Sequence, residues 1–254
     1  MDGTGSALFD RIDASGSKLL SAYFPVCDPL VPLDYLKIYD EFGVDLIELG
    51  IKSANPHHDG DTIRQSMLRS TGQGRLADAG EALRMTAGLA GGSLGVIFAY
   101  PQPGLAEETF DWTGTDILLC AGADGSHRER LVSDAKSAGV STAEFAPHHM
   151  REGDLARARS ATSYVFLQYA AGKTGIRAGF DRSAKARLQR LRQSGVSVPV
   201  LLGVGLSTPD QCRHALDCGA DGIVIGSKTV KMAEKGRAAL SDYLGEIRQV
   251  IDGR

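Results

Sequence analysis

Eight short apolar runs rich in valine, isoleucine and leucine recur along the chain, and this recurrence constrains the fold more than any other feature. The runs are LLSAYFPV (19–26), DLIELGI (45–51), SLGVIFAY (93–100), DILLCAG (116–122), STAEFAP (141–147), YVFLQYA (164–170), VPVLLGVG (198–205) and DGIVIGS (221–227). Between them lie segments with helical spacing, among them PLDYLKIYDEFG, RLADAGEALRMTAGL, LAEETFDW, SHRERLVSDAKSAG, REGDLARARSATS and SAKARLQRLRQSG. Continuous apolar strands suit a parallel sheet buried on both faces, with helices as the crossovers. Eight such units in a chain of 254 residues predict an α/β fold, the (β/α)8 TIM barrel. A doubly wound open sheet is the rival, but it usually has fewer strands, and its GxGxxG fingerprint after the first strand is absent. No linker or shift of composition divides the chain, so residues 1–254 read as one barrel domain.

Helix punctuation agrees with this division. Ser207-Thr208-Pro209-Asp210 offers a capping hydroxyl, a first-turn proline and an early carboxylate, and Gly219 ends that helix. A helix over 127–139 has Ser126 as its expected cap and Gly139 as its stop.

Charge and composition exclude several functions. With 28 basic against 31 acidic side chains, spread along the chain, a polyanion groove is not expected. No stretch approaches the roughly 18 consecutive apolar residues of a membrane span. The first twenty residues lack the basic end and apolar core of a signal peptide. Cys27, Cys120, Cys212 and Cys218 form no CxxC pair and read as reduced thiols, which predicts a cytoplasmic protein.

Barrel enzymes carry their chemistry at the carboxyl ends of the strands and often bind phosphate after strands seven and eight. Those loops read Gly203-Val204-Gly205-Leu206-Ser207 and Gly226-Ser227-Lys228. Glycine lets backbone N–H groups approach phosphate oxygens, and a helix starting just after Ser227 adds partial positive charge. Gly172-Lys173-Thr174-Gly175, after strand six, could contribute Gly175. Barrel turns need glycine anyway, so the two late segments together carry more weight than either alone. Lys228 looks at first like the phosphate ligand, but the backbone could do the binding without it.

Strand two ends in Glu48-Leu49-Gly50-Ile51, where alternation points Glu48 at the barrel axis. Burial there raises a carboxyl's pKa and lets it exchange a proton near neutrality. Asp59, in the following loop, supplies a second and more exposed carboxylate, and the two could form an acid/base pair. The alternative is a salt-bridged glutamate and an aspartate capping a helix that begins at Gly60. The pairs His57-His58 and His148-His149 invite a metal, but adjacent loop side chains seldom converge on one ion, so no metal site is expected. A role for His57 or His58 in touching substrate or ordering the loop is the more natural reading, and Cys120 fits a core position.

Taken together, several segments resemble the tryptophan synthase α-subunit family, from about Leu19 to the C-terminus. They are Glu48-Leu49-Gly50, Pro56 with Asp59-Gly60 and Thr62-Ile63, the Gly172–Gly175 loop, Gly203-Val204-Gly205-Leu206-Ser207-Thr208-Pro209, and GADGIVIGS (219–227) followed by Val230-Lys231. The resemblance implies retro-aldol cleavage of indole-3-glycerol phosphate to indole and glyceraldehyde 3-phosphate, with no metal or organic cofactor. It implies Glu48 as proton shuttle, Asp59 as partner of the indole N–H, and Thr174 as the loop threonine that closes on the aspartate. It places Gly175, Gly205, Gly226 and Ser227 at phosphate-binding positions and Tyr100 at an active-site tyrosine. Ile63 falls on the indole pocket, and Tyr23 stands where a phenylalanine is usual.

The departures fall on the partner surface and on parts of the indole pocket. Lys52-Ser53-Ala54-Asn55-Pro56 replaces Pro-Phe-Ser-Asp-Pro in the loop through which the family contacts a PLP-dependent β subunit. Strand four ends Cys120-Ala121-Gly122-Ala123 without the family's Ala-Asp-Val-Pro. Phe166 replaces a tyrosine, Val204 a phenylalanine, and Ala170-Ala171 an Arg-Ser pair. This pattern fits a stand-alone lyase. It also fits a paralogue acting on another phosphorylated substrate, or a regulatory subunit of a β-like partner. The joint presence of Glu48, Asp59 and Thr174 argues against a purely regulatory role.

Overall fold

The apolar runs become strands β1 (Leu19–Pro25), β2 (Leu46–Gly50), β3 (Leu94–Ala99), β4 (Ile117–Cys120), β5 (Ser141–Ala146), β6 (Val165–Gln168), β7 (Val200–Gly203) and β8 (Gly222–Ile225). In this computed structural model, which describes residues 4–102, 105, 109–122, 125–172 and 181–253, they close into one parallel barrel in sequence order. β8 pairs with β1 through Leu19↔Gly222 and Ser21↔Val224. Around the barrel run α1 (Thr4–Ser15), α2 (Leu36–Glu41), α3 (Asp61–Arg69), α4 (Gly80–Ala87), α5 (Ser126–Ser137), α6 (Glu152–Arg159), α7 (Ala184–Gln193), α8 (Pro209–Asp217), α9 (Ser227–Ala233) and α10 (Arg237–Ile251). The helical segment expected over LAEETFDW lies partly outside the described residues.

Period-2 alternation divides the apolar side chains into two cores. Leu20, Ala22, Phe24, Ile47 and Leu49 face outward and pack beneath the helices. Leu19, Tyr23, Leu46, Val96, Phe98 and Tyr164 belong to the separate cluster that fills the barrel. Leu8 of α1 is fully buried in that inner cluster, and Gly5 N–H donates to the Thr162 carbonyl at 2.9 Å. α1 therefore closes the end of the barrel away from the carboxyl ends of the strands. The expected elements begin at Leu19 and omit α1, which precedes the first apolar run and buries one leucine deeply, with Ile12 packed beside it. Removing that leucine from water contributes about 1.5–3 kcal/mol.

Thr208 caps α8 as expected, accepting the Gln211 N–H in a capping box with Pro209 in the first turn. Gly219 follows that helix at φ +97°, a conformation open to glycine. Ser126 is not the cap of its helix. It is the first helical residue of α5, and Gly125 occupies the N-cap position with no side-chain bond to the helix.

Candidate active site

Glu48 sits on β2 in register with Tyr23 of β1 and Val96 of β3, pointing into the barrel with 2 % of its surface exposed. Its Oε1 accepts two hydrogen bonds, from Ser21 Oγ at 3.1 Å and from Tyr164 Oη at 3.0 Å. Burial pushes the carboxyl up to about 7, the two hydroxyls pull it down, and the charge of Asp59 raises it further. At neutral pH both protonation states are populated, as a group that gives and takes a proton requires.

Asp59 lies in the loop before α3, whose N-cap is Gly60, and accepts a 2.7 Å hydrogen bond on Oδ2 from Tyr100 Oη. The expectation of a more exposed aspartate is corrected here: Asp59 is 3 % exposed, nearly as buried as Glu48. The Tyr100 ring covers it, and the adjacent loop packs through its own rings. His57 meets Tyr100 edge-on at 5.0 Å, and His58 packs on Phe145 at 4.8 Å. Burial, then the neighbouring His57, lowers His58 to about 4, so it is a neutral ring at physiological pH. Among the described residues no group of three histidine, cysteine, aspartate or glutamate side chains could hold a metal.

A pocket holding about 480 Å³ of empty space, including its open mouth, lies between these carboxylates and the ends of β7 and β8. Its walls bring together Tyr23, Glu48, Asp59, Ile63, Phe166, Gly205, Gly226 and Ser227. Ile63 comes from α3 and Phe166 from β6, and Phe98 completes an apolar slot by meeting Tyr23 edge-on at 5.9 Å. Tyr23 fits because Gly50 lacks a side chain; a Cβ there would overlap the phenol ring. The Tyr23 hydroxyl is buried without a hydrogen-bond partner among the described residues, and burial with the charges of Asp59 and Glu48 pushes its pKa upward. Tyr100 does not line the pocket and reaches it through Asp59.

The opposite wall comes from the turn Val204–Ser207 after β7 and from Val224, Gly226, Ser227 and Lys228 at the end of β8. Val204 has φ +70°, costly for a β-branched residue, and Gly205 follows at φ +93°. Gln211 Oε1 then takes the N–H groups of Ser207 and Thr208 at 2.9 and 3.3 Å, which holds the loop to the start of α8. Ser227 opens α9, and its buried Oγ has no partner among the described residues. Lys228 lines the pocket, but its ammonium lies 5.9 Å over the Tyr243 ring. Thr174 and Gly175 lie outside the described residues. Ser21, Tyr164 and Phe98 are absent from the sequence reading. The signal for Ser21 is present, since it shares the inward period of Tyr23 as a lone polar residue among apolar ones. Tyr164 precedes β6 and stands 116 positions from Glu48, with no local motif to mark it.

An eight-stranded parallel barrel with buried carboxylates and a pocket at the carboxyl ends of its strands has the layout of the (β/α)8 barrel enzymes. The family model described as tryptophan synthase alpha chain matches residues 9–250. The alpha chain of Synechococcus elongatus is 31% identical over 226 residues, covering 84% of this chain and 83% of that protein. That of Geobacter sulfurreducens is 27% identical over 266 residues, covering 96% and 97%. A Mycobacterium tuberculosis tryptophan synthase structure superposes with a TM-score of 0.83 at 20% identity, covering 99% of each chain. The Legionella pneumophila alpha subunit superposes at 0.78 and 17% identity, covering 100% of each. The chain belongs to the tryptophan synthase alpha chain family.

Among the described residues no helix is long and apolar enough to cross a membrane. All four cysteines are free, with Cys120 and Cys212 buried.

Proposed function

We propose that this chain, as one barrel domain, cleaves indole-3-glycerol phosphate to indole and glyceraldehyde 3-phosphate. The observation that carries the reading is the placement of two buried carboxylates, Glu48 and Asp59, on the wall of one largely apolar pocket. The indole ring lies in the slot of Tyr23, Ile63, Phe98 and Phe166, with Asp59 accepting the ring N–H. Protonated Glu48 gives its proton to the ring carbon that bears the glycerol chain, and Asp59 stabilises the positive charge left on the nitrogen. The Glu48 carboxylate then takes the proton of the neighbouring glycerol hydroxyl. The O–H electrons form the aldehyde carbonyl, and the C–C electrons return to the ring and neutralise it. Glu48 ends the cycle protonated, as it began. A Glu48 pKa of about 7 suits this exchange.

Gly205, Gly226 and the unpartnered Ser227 hydroxyl supply the phosphate site, with the ammonium of Lys228 turned to Tyr243. By the family pattern Thr174 and Gly175 complete the loop over the substrate. Catalysis without a PLP-dependent β subunit is the form favoured here. The altered segment Lys52–His58 is held by this chain's own rings, through His57 on Tyr100 and His58 on Phe145.

The test is indole release from indole-3-glycerol phosphate by the purified chain, with Glu48→Gln and Asp59→Asn alongside. Turnover lost in both variants supports the assignment. Turnover that needs an added β subunit overturns the self-sufficient form only, and no turnover under either condition overturns the substrate.

A further inference from the structure

Glu48 is anchored on one side only. Ser21 Oγ, itself fully buried on β1, and Tyr164 Oη, from the segment just before β6, both donate to Oε1. No hydrogen bond to Oε2 is made among the described residues, and Glu48 lines the pocket. We propose that Ser21 is a positioning residue: with Tyr164 it ties down Oε1 of Glu48 and leaves Oε2 as the oxygen that carries the proton. The inference rests on the lyase reading for what Oε2 acts upon, but the anchoring itself can be tested without substrate.

The geometry requires two donors to do this. A single donor leaves the carboxyl free to turn about its terminal bond, which has a broad and roughly two-fold torsional profile. A donor from neighbouring β1 and a second from the β6 side define the carboxyl plane and distinguish its two oxygens. Hydroxyl donors also favour the ionised form, opposing the burial that drives Glu48 toward protonation. The titratable groups facing it are Tyr23 on β1, Asp59 in the loop after β2 and Tyr164 before β6; Val96, its register partner on β3, carries no charge. Ser21 is thus the one neutral, non-titrating donor in the set, and removing it changes no charge.

The experiment is an infrared titration of the Glu48 carboxyl in the whole protein, the band being assigned by its loss in Glu48→Gln. Ser21→Ala is expected to move the midpoint upward by about one pH unit, the scale of one hydrogen bond to a charged group. Ser21→Thr, which keeps the hydroxyl, is expected to return it to the wild-type position. Thermal unfolding of each variant checks that the fold survives. In turnover, the Glu48 limb of the kcat profile moves in the same direction in Ser21→Ala, while KM is unchanged. A midpoint unmoved in a folded Ser21→Ala overturns the inference. A shifted midpoint in a chain that does not cleave indole-3-glycerol phosphate upholds the anchoring and overturns the substrate reading instead.

Discussion

The two sides of the pocket are built by different means. The carboxylate side is made of side chains gathered from distant parts of the chain: Ser21 and Tyr164 reach Glu48 across 27 and 116 positions, and Tyr100 reaches Asp59 across 41. The glycine side is made of two turns, one of them locked within four residues by Gln211 on Ser207 and Thr208. One side sets protonation through buried donors, whereas the other sets shape through the backbone. Substitutions on the first should therefore change pH behaviour and rate, and substitutions on the second should change affinity.

The largest effect is expected at Glu48. Glu48→Gln should lower kcat on the order of a thousandfold, within the range of general acid–base catalysis. The same substitution should stabilise the protein at alkaline pH. The carboxyl ionises near 7 when folded and near 4.5 when free, so between those values the folded state holds the extra proton and stability falls as pH rises. Above pH 7 the ionised glutamate costs up to about 3 kcal/mol, discounted by whatever water reaches it. Thermal melts should show Glu48→Gln above wild type at pH 8, with the difference vanishing below pH 4.5. A gap that stays constant with pH would mean that burial does not govern this carboxyl.

The glycine side predicts the opposite signature. Beyond its chain neighbours, a Cβ added at Gly226 would meet only Tyr23 Cβ, at 3.8 Å, an ordinary van der Waals contact. Gly226→Ala should therefore leave the barrel folded, as thermal melts would check. It would put a methyl group where the proposed phosphate site approaches the backbone, raising KM by on the order of tenfold with kcat nearly kept. Steady-state kinetics on the two variants would set a rate effect against an affinity effect. A fall in kcat with unchanged KM for Gly226→Ala would erase the distinction.

The same contrast explains what was legible in the sequence. All eight strands correspond to the apolar runs, because a strand buried on both faces needs a local stretch of branched residues that shows itself directly. That Gly205, Gly226 and Ser227 end up on the pocket wall was legible for a similar reason, since short turns are written in adjacent residues. Glu48 stood out as a charge in an apolar run. Ser21 and Tyr164 did not, because their importance lies in which strands the closed barrel brings side by side. The depth of Asp59 was missed for the same cause: its cover is Tyr100, supplied by the end of β3. The approach of the Lys228 ammonium to Tyr243, fifteen positions later on α10, is likewise a contact that no local motif announces.

The smallest effect separates support from chemistry. Tyr100 donates to Asp59 at 2.7 Å but does not line the pocket. Tyr100→Phe keeps the ring against His57 and Phe98 and removes only the hydroxyl. One hydrogen bond to a carboxylate is worth about 1.5–3 kcal/mol, and part of that should be recovered by water entering from the pocket. A loss of about three- to tenfold in kcat/KM is expected, well short of Glu48→Gln. A loss as large as that of Asp59→Asn would mean that the carboxylate cannot be held without the phenol. The carboxylate side would then depend on a third long-range donor, widening its contrast with a glycine wall whose shape comes from the chain itself.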